Sequence, residues 1–374
     1  MRAFLFDRSL PLTGGVAQSF AIFGRHRDRA RFDLHAVSCQ GIAADADAAF
    51  QAAGIAAHDI GDAGYVRPCF ALRRLLVAHR PQVILCCSFK PYVLARAAAF
   101  GLNMRVVFWH VAITDILDGW LRTGLYRLLA SHGDVLANSR ATADAVAYRW
   151  HRGRCRVLHL GVEDAAAAPR DDRTRLLGIA ADALVIAYTA SFVAYKRHDV
   201  LIAAFARVAA RRDDVHLLLI GVGALQADVL RQAQASGFAA RIHFTGARAD
   251  VRMLLGTVDI YAHPAVGEGF GLALVEAMLA GLPVVAARAG ALPEIVDGAS
   301  NGVLCAPGDA DDLAACLQRL LDDAALRRTL GAAARQAARR RFAPDCYAAA
   351  LSNIIEEYSV KPTLQRQKKM WTKR

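Results

Sequence analysis

The chain has 374 residues, 55% hydrophobic content, 28 glycines and a formal charge of +12. That length exceeds one ordinary core and predicts two domains. The apolar share excludes a disordered chain, and no apolar run reaches the length of a membrane-spanning helix.

Arg2-Ala3-Phe4-Leu5-Phe6 predicts a first strand. The run breaks at Asp7, which argues against a signal peptide. Gly14 and Gly15 then precede a helix from about Ala17 to Arg25, a strand–glycine–helix order suited to phosphate. Leu34 to Ser38 predicts a second strand, and 40–60 a loop with a short helix. Val66 to His79 predicts a basic amphipathic helix, with Arg73, Arg74 and Arg80 at or near it. Further strands are predicted at 83–87, 106–109, 134–138 and 156–160, with helices at 91–100 and 120–131. His110 stands at the end of one strand, where open α/β sheets place ligands. The segment 166–182 has no strand pattern and predicts an interdomain linker with a short helix. From 184 a second series of strands and helices begins, so two Rossmann-like units are expected. Gly221 and Gly223 lack the full three-glycine pattern and do not support NAD.

Two features of the second half carry the chemistry. Before residue 361 the only lysines are Lys90 and Lys196, in a chain that otherwise uses arginine for positive charge. A lysine kept at 196 suits a site wanting a compact ammonium, as a diphosphate does. The second feature is YAHPAVGEGFGLALVEAMLAGLPVVAA, from Tyr261 to Ala287. It predicts a strand, a glycine loop, a helix and a second strand. Backbone amides at such a helix start are an anion site. Glu268 stands at its mouth and Glu276 eight residues on, about 12 Å along a helix. That disfavours a hydrolytic carboxylate pair, which needs about 5–9.5 Å, and suits two ends of an elongated ligand. Glu276 has apolar helical neighbours and no cation at i±3 or i±4. A buried carboxylate needs donors, and a ribose diol would supply two.

The stretch resembles the signature of the family 4 glycosyltransferases: E-G-F-G and a second glutamate, with seven residues between the two. Glu268, Gly269, Phe270, Gly271 and Glu276 match it in register. The likeness is specific over 258–312 and looser over the first half. Lys196 fits the family lysine, while Ser191 and Arg197 replace an arginine and a glycine of that pattern. Ala289 to Val296 resembles the family's G-G-x-x-E-I-V run.

The resemblance implies the α/β GT-B fold. Residues 1–165 would form an acceptor-side domain and 166–182 the linker. Residues 183–341 would form the nucleotide-sugar domain, 342–359 a helix crossing back to the first domain, and 360–374 a basic tail. It implies retaining transfer of a hexose-type sugar from a UDP- or GDP-linked donor. Glu268 and the amides of Phe270, Gly271 and Leu272 would hold the sugar, and Glu276 the ribose. Lys196 and Gly15 would face the diphosphate, with Arg197 a candidate second cation. The backbone near Gly246 to Arg248 would meet the base, and His110 would orient sugar or acceptor. No cofactor and no metal ion is expected. A nucleotide-sugar epimerase and a non-catalytic nucleotide-sugar-binding protein are the alternatives. Asp45-Ala-Asp47 and Asp309-Ala-Asp311 offer D-x-D pairs, but in polar stretches away from the glycine loops.

The charge is uneven. Residues 1–175 carry 23 Lys+Arg against 15 Asp+Glu, residues 176–360 carry 17 against 19, and residues 361–374 carry 6 against none. No nucleic-acid motif accompanies the excess, so an anionic membrane surface is the expected partner, with a glycan or lipid-linked acceptor. The eight cysteines form no C-x-x-C pair and predict reduced thiols. A cytoplasmic enzyme, peripheral on the inner membrane surface and active in envelope polysaccharide or lipopolysaccharide synthesis, is the resulting expectation.

Overall fold

A computed structural model describes residues 1–11, 15–111, 133–149, 155–164, 168–298 and 300–359. Gly14, the predicted helix at 120–131 and the tail 360–374 lie outside these.

Strands apolar on both faces need helices on both sides. The first half builds seven parallel strands in the order β3-β2-β1-β4-β5-β6-β7. They are β1 Arg2–Asp7, β2 Asp33–Ser38, β3 Ile55–Asp59, β4 Val83–Cys86, β5 Arg105–His110, β6 Asp134–Ala137 and β7 Cys155–Val157. The helices are α1 Gly15–His26, α2 Ala44–Ala52, α3 Val66–His79, α4 Phe89–Ala98 and α5 Arg140–Arg149. Alternation sorts the side chains. Leu5 and Leu34 share a core with Phe20 and Phe23 of α1, whereas Phe4, Ile84 and Phe108 share one with Leu72 of α3 and Tyr92 of α4.

The second half repeats the plan with six parallel strands in the order β10-β9-β8-β11-β12-β13. They are β8 Leu184–Thr189, β9 Val215–Ile220, β10 Ile242–Phe244, β11 Ile260–His263, β12 Val284–Ala287 and β13 Val303–Cys305. The helices are α6 Arg173–Leu177, α7 His198–Ala209, α8 Gln226–Ala235, α9 Val251–Leu255, α10 Leu272–Leu279, α11 Leu292–Ile295, α12 Ala310–Asp322, α13 Ala324–Phe342 and α14 Pro344–Ser359.

Strand order reverses between β1 and β4 in the first sheet and between β8 and β11 in the second. Ligands of open α/β sheets bind outside the carboxyl ends of strands at such switch points. The loops after β1, β8 and β11 lead to Gly15, Lys196 and Glu268.

Three elements differ from the sequence expectation. The edge strand β3 forms where a loop was predicted, because Ile55 pairs with Leu34 while the rest of the strand stays partly exposed. The predicted linker docks on the second domain at Arg173, which is fully buried and donates to Thr257 O at 2.7 Å and Asp259 Oδ2 at 2.7 Å. The final helix starts at Pro344 and not at 342, because Ala343 leaves helical geometry and proline suits a first helical position. This α14 does cross back: Asp345 meets His26 at 2.6 Å, Glu356 pairs with Arg31, and Glu357 pairs with Arg156.

Candidate active site

The loop between β11 and α10 is shaped by where glycine is required. Gly271 has φ +106 and turns the chain into α10, so of the two glutamates only Glu276 is helical. Gly290 has φ +54, and a Cβ there would stand 2.5 Å from Glu268 O. The Ala289–Glu294 segment is thereby pressed against the Glu268 backbone, and Ala291 N donates to Glu268 O at 3.0 Å. The tightness fixes Glu268 in place.

Glu268 is held from two sides. Lys196 Nζ lies 2.5 Å from Oε2, and His263 Nε2 lies 3.1 Å from the same oxygen. Burial pushes the carboxyl up, but the His263 hydrogen bond and the Lys196 charge outweigh it and hold Glu268 at about 2. Burial pushes His263 below its ordinary value, against the pull of Glu268, so the ring is neutral and donates Nε2–H. Glu268 is therefore an ionised acceptor at neutral pH and not a proton donor.

Around this pair lies a cavity of about 290 Å³, lined by Gly15, Asn138, Lys196, Glu268, Gly271 and Leu272 among others. The domains touch here: a Cβ on Gly15 would meet Leu272 Cδ1 at 2.7 Å. Both α1 and α10 begin at this wall, so two helix N-termini and an ammonium converge on one space. Beyond Leu272 and Ala273, which line both, a second cavity of about 490 Å³ holds Thr189, Arg248, Arg252 and Glu276. The two lobes form a trough over the start of α10, one glutamate in each.

Glu276 has a cation after all. Arg252 of α9 donates to Oε1 from Nε at 3.0 Å and sits 2.9 Å away through Nη2. The expectation of no protein partner missed it because α9 lies 24 residues upstream. Arg248 also faces the second lobe, its guanidinium on Asp250 at 2.7 Å. The Phe270 ring clusters with His159 at 5.9 Å and Phe342 at 5.5 Å, and the residue lines the first lobe.

Arg197 has φ +53 and turns its guanidinium onto Asp199 at 2.9–3.2 Å, where it lines a separate cavity beside α7 and α8. His110 is 2% exposed, with its ring 4.1 Å from that of Phe108. The next residue, Val111, lines the first lobe.

Sequence reasoning passed over Asn138. Its Nδ2 donates to Val111 O at 2.7 Å, while its buried Oδ1 has no hydrogen-bond partner and the residue lines the first lobe. Its place just after β6 was the available signal. The D-x-D pair at Asp309 dissolves into helix capping: Asp309 accepts from Asp311 N and Asp312 N at the start of α12.

Residues 183–323 match the family model described as glycosyl transferases group 1. The chain is 31% identical over 165 residues to the N-acetyl-alpha-D-glucosaminyl L-malate synthase of Bacillus anthracis, covering 44% of this chain and 43% of that one. It is 32% identical over 203 residues to a GDP-mannose-dependent phosphatidylinositol monomannoside mannosyltransferase of Corynebacterium glutamicum, covering 51% and 52%. The chain thus spans about half the length of the curated relatives it matches. Its fold superposes on that of Anabaena HepE, solved with UDP and glucose, with TM-score 0.82, 22% identity and coverage of 96% and 100%. The lipopolysaccharide-biosynthesis glycosyltransferase WaaG superposes with TM-score 0.70, 18% identity and coverage of 95% and 99%. Residues 183–323 thus match the group 1 glycosyl transferases, and the chain has the two-domain GT-B fold of the glycosyltransferase structures it superposes on.

Proposed function

We propose that the chain transfers a hexose from a UDP- or GDP-linked donor to a glycan or lipid-linked acceptor, with retention. The observation that carries this reading is the trough over the start of α10, with a glutamate in each lobe and positive groups between them. Departure of a nucleoside diphosphate develops negative charge at its phosphates. Lys196 and the amides at the starts of α1 and α10 are set in place to stabilise it. In the structure that ammonium rests on Glu268. A bound diphosphate would share it, and Glu268, still held by His263, would accept from a sugar hydroxyl. Asn138 Oδ1 offers a second acceptor in the same lobe. His110 keeps its proposed role in orienting sugar or acceptor, through the strand end that carries Val111. Glu276, steadied by Arg252, would take the ribose diol, and the backbone near Gly246 to Arg248 the base.

The reading needs no metal ion at the diphosphate, and activity should survive EDTA. The relatives' names support a nucleotide-sugar donor and leave the base open, since UDP and GDP-mannose both occur among them. A thermal-shift screen of UDP- and GDP-hexoses tests the donor, because binding to the folded state raises apparent stability. A rise with one donor series, lost in Glu276→Ala, is the expected result. No rise with any donor would overturn the proposal.

The acceptor side carries a second feature. Helix α3 buries Leu72 and Leu76 yet leaves Val66, Phe70 and Val77 exposed at 68%, 66% and 50%. These fall at helical spacing on one face, beside exposed Arg67, Arg74 and Arg80. Phe100, 83% exposed, is tied to the same helix through its carbonyl, which accepts from Arg73 Nη1 at 2.8 Å. Apolar side chains ringed by arginines suit the interface of an anionic leaflet. No helix among the described residues is long and apolar enough to cross a membrane. We place the enzyme at the cytoplasmic membrane surface, working on an envelope glycan precursor.

A further inference from the structure

Three histidines meet on the α3/α4 side of the first sheet, away from the trough. His35 comes from β2, His58 from β3, and His79 is the last residue of α3. One ring nitrogen from each falls within 4.8 Å of the others. His35 Nδ1 and His58 Nε2 are 2.9 Å apart, and the His79 ring lies 4.5 Å from that of His35 and 5.6 Å from that of His58. His35 is 4% exposed, and Phe4 stacks on it at 4.5 Å.

A merely structural stack explains this poorly. The neighbouring positions on that sheet face are Phe4, Phe6, Val37 and Ile84, all fully buried and apolar. Of the three imidazoles, His35 is the buried one and should find hydrogen bonds to offset its desolvation. Instead two of them face each other, where one proton at most can lie between the nitrogens. His35 Nε2 points the other way, 3.4 Å from Asp33 Oδ1, too poorly aligned for a hydrogen bond. A histidine with one nitrogen toward a common point and the other toward a carboxylate is the arrangement that orients metal ligands.

We propose that His35, His58 and His79 form a structural site for Zn²⁺ or a similar borderline divalent cation. On metal binding a small turn of His35 brings its Nε2–H onto Asp33 Oδ1, now 3.4 Å away, and water completes the shell. Ligation at about 2.0–2.1 Å sets the three nitrogens roughly 3.3 Å apart, so the His35–His58 pair opens slightly from 2.9 Å and His79 moves in. His79, at a helix end and half-buried, can make that move. The site joins the end of α3 to β2 and the edge strand β3. Arg2, the first residue of β1, donates to His79 O, which sets this end of α3 at the amino edge of the sheet, opposite the trough. The role is therefore to fasten α3 and not to catalyse.

The test uses the full chain, stripped with a chelator and then titrated with Co²⁺ and with Zn²⁺. Bound metal is counted by elemental analysis, and Co²⁺ absorption reports the geometry. The wild type should take up one cation with the intense visible bands of a four-coordinate nitrogen site, and its thermal midpoint should rise with Zn²⁺. His58→Gln and His79→Gln should each abolish the bands and the rise while keeping the wild-type circular dichroism. Asp33→Asn should weaken binding roughly 10–100-fold. Another close histidine pair, His216 Nδ1 and His243 Nε2 at 2.9 Å, provides the control. His216→Gln with His243→Gln should leave uptake unchanged. No uptake by the wild type, uptake persisting in both His58→Gln and His79→Gln, or uptake lost only in the control would each overturn the site.

Discussion

Glu268 and Lys196 are each about seven-eighths buried, at 14% and 13% side-chain exposure, so neither charge is tolerable without the other. Lys196→Ala leaves an ionised carboxylate with only neutral His263 beside it, at an expected cost of about 3–5 kcal/mol. Adding Glu268→Gln removes the stranded charge, so urea unfolding of the double variant should show much less than the summed loss. Additive losses would mean that the pair does not interact in solution. The glutamates divide differently in kinetics. Glu276→Ala should raise KM for the donor, because ribose contacts exist in the ground state, whereas Glu268→Ala should lower kcat. Wild-type kinetics in both would remove the site. Spacing within one loop and helix was legible from sequence, as Glu268, Gly271 and Glu276 show. Partners delivered by packing were not: Arg252 reaches Glu276 only because α9 lies beside α10. The histidine triad was invisible for the same reason, since β2, β3 and α3 bring it together across the sheet.

At the scale of elements, the start of α7 carries a pH liability. His198 is 3% exposed, its ring 4.4 Å from that of Phe192 and 5.1 Å from that of Tyr188. Burial, reinforced by Lys196, pushes it down to about 4. The folded ring therefore stays neutral while the unfolded one takes a proton below 6.5. Its contribution is complete above pH 6.5 and is lost as pH falls toward 4. Glu268, depressed to about 2, acts later, losing its contribution between 4.5 and 2. Between pH 7 and pH 5 the His198 share is roughly 2 kcal/mol. His198→Phe should shrink the wild-type difference in urea stability between those pH values by about that amount. An unchanged difference would show that the ring is hydrated in solution. Capping gives a second check at this scale. Asp309→Ala should cost about 1 kcal/mol through α12 and leave donor binding unchanged. Loss of donor binding or a new metal requirement would instead restore Asp309 and Asp311 as a cation pair. The two series of parallel strands followed from the alternation of apolar runs with helices, while their order within each sheet did not. The weak edge strand β3 did not, because partly exposed Ala56, Ala57 and His58 have no clear strand period.

The two domains are joined by more than the linker and α14. Glu294 of α11 accepts from Arg140 N at 2.8 Å and Ala141 N at 2.7 Å, so the second domain caps α5 of the first. Thr142 Oγ1 donates to Gly269 O at 3.2 Å, tying the same helix to the glutamate loop. With the domains held this way, the outward face of α3 is fixed relative to the trough. Part of the first domain's basic excess is already engaged within the protein. Arg27 is 8% exposed and donates to the carbonyls of Phe32, Ala53 and Gly54, and Arg31 and Arg156 pair with α14. Net charge alone therefore overstates what a membrane would meet, and the exposed set on α3 is the part that counts. Each basic residue near an anionic leaflet contributes about 1 kcal/mol, so Arg67, Arg74 and Arg80 would give weak, reversible binding that Phe70 and Phe100 strengthen by insertion. Phe70→Ser with Phe100→Ser removes exposed side chains and should leave stability within about 0.5 kcal/mol. Vesicle co-sedimentation decides the matter. The full chain should bind anionic vesicles and not neutral ones, release as salt rises, and bind in part when ended at Tyr358. The phenylalanine variant should bind less than the wild type at every salt concentration. Binding that depends only on the tail, or equal partition to both vesicle types, would remove α3 from the interface and make a soluble acceptor the better expectation.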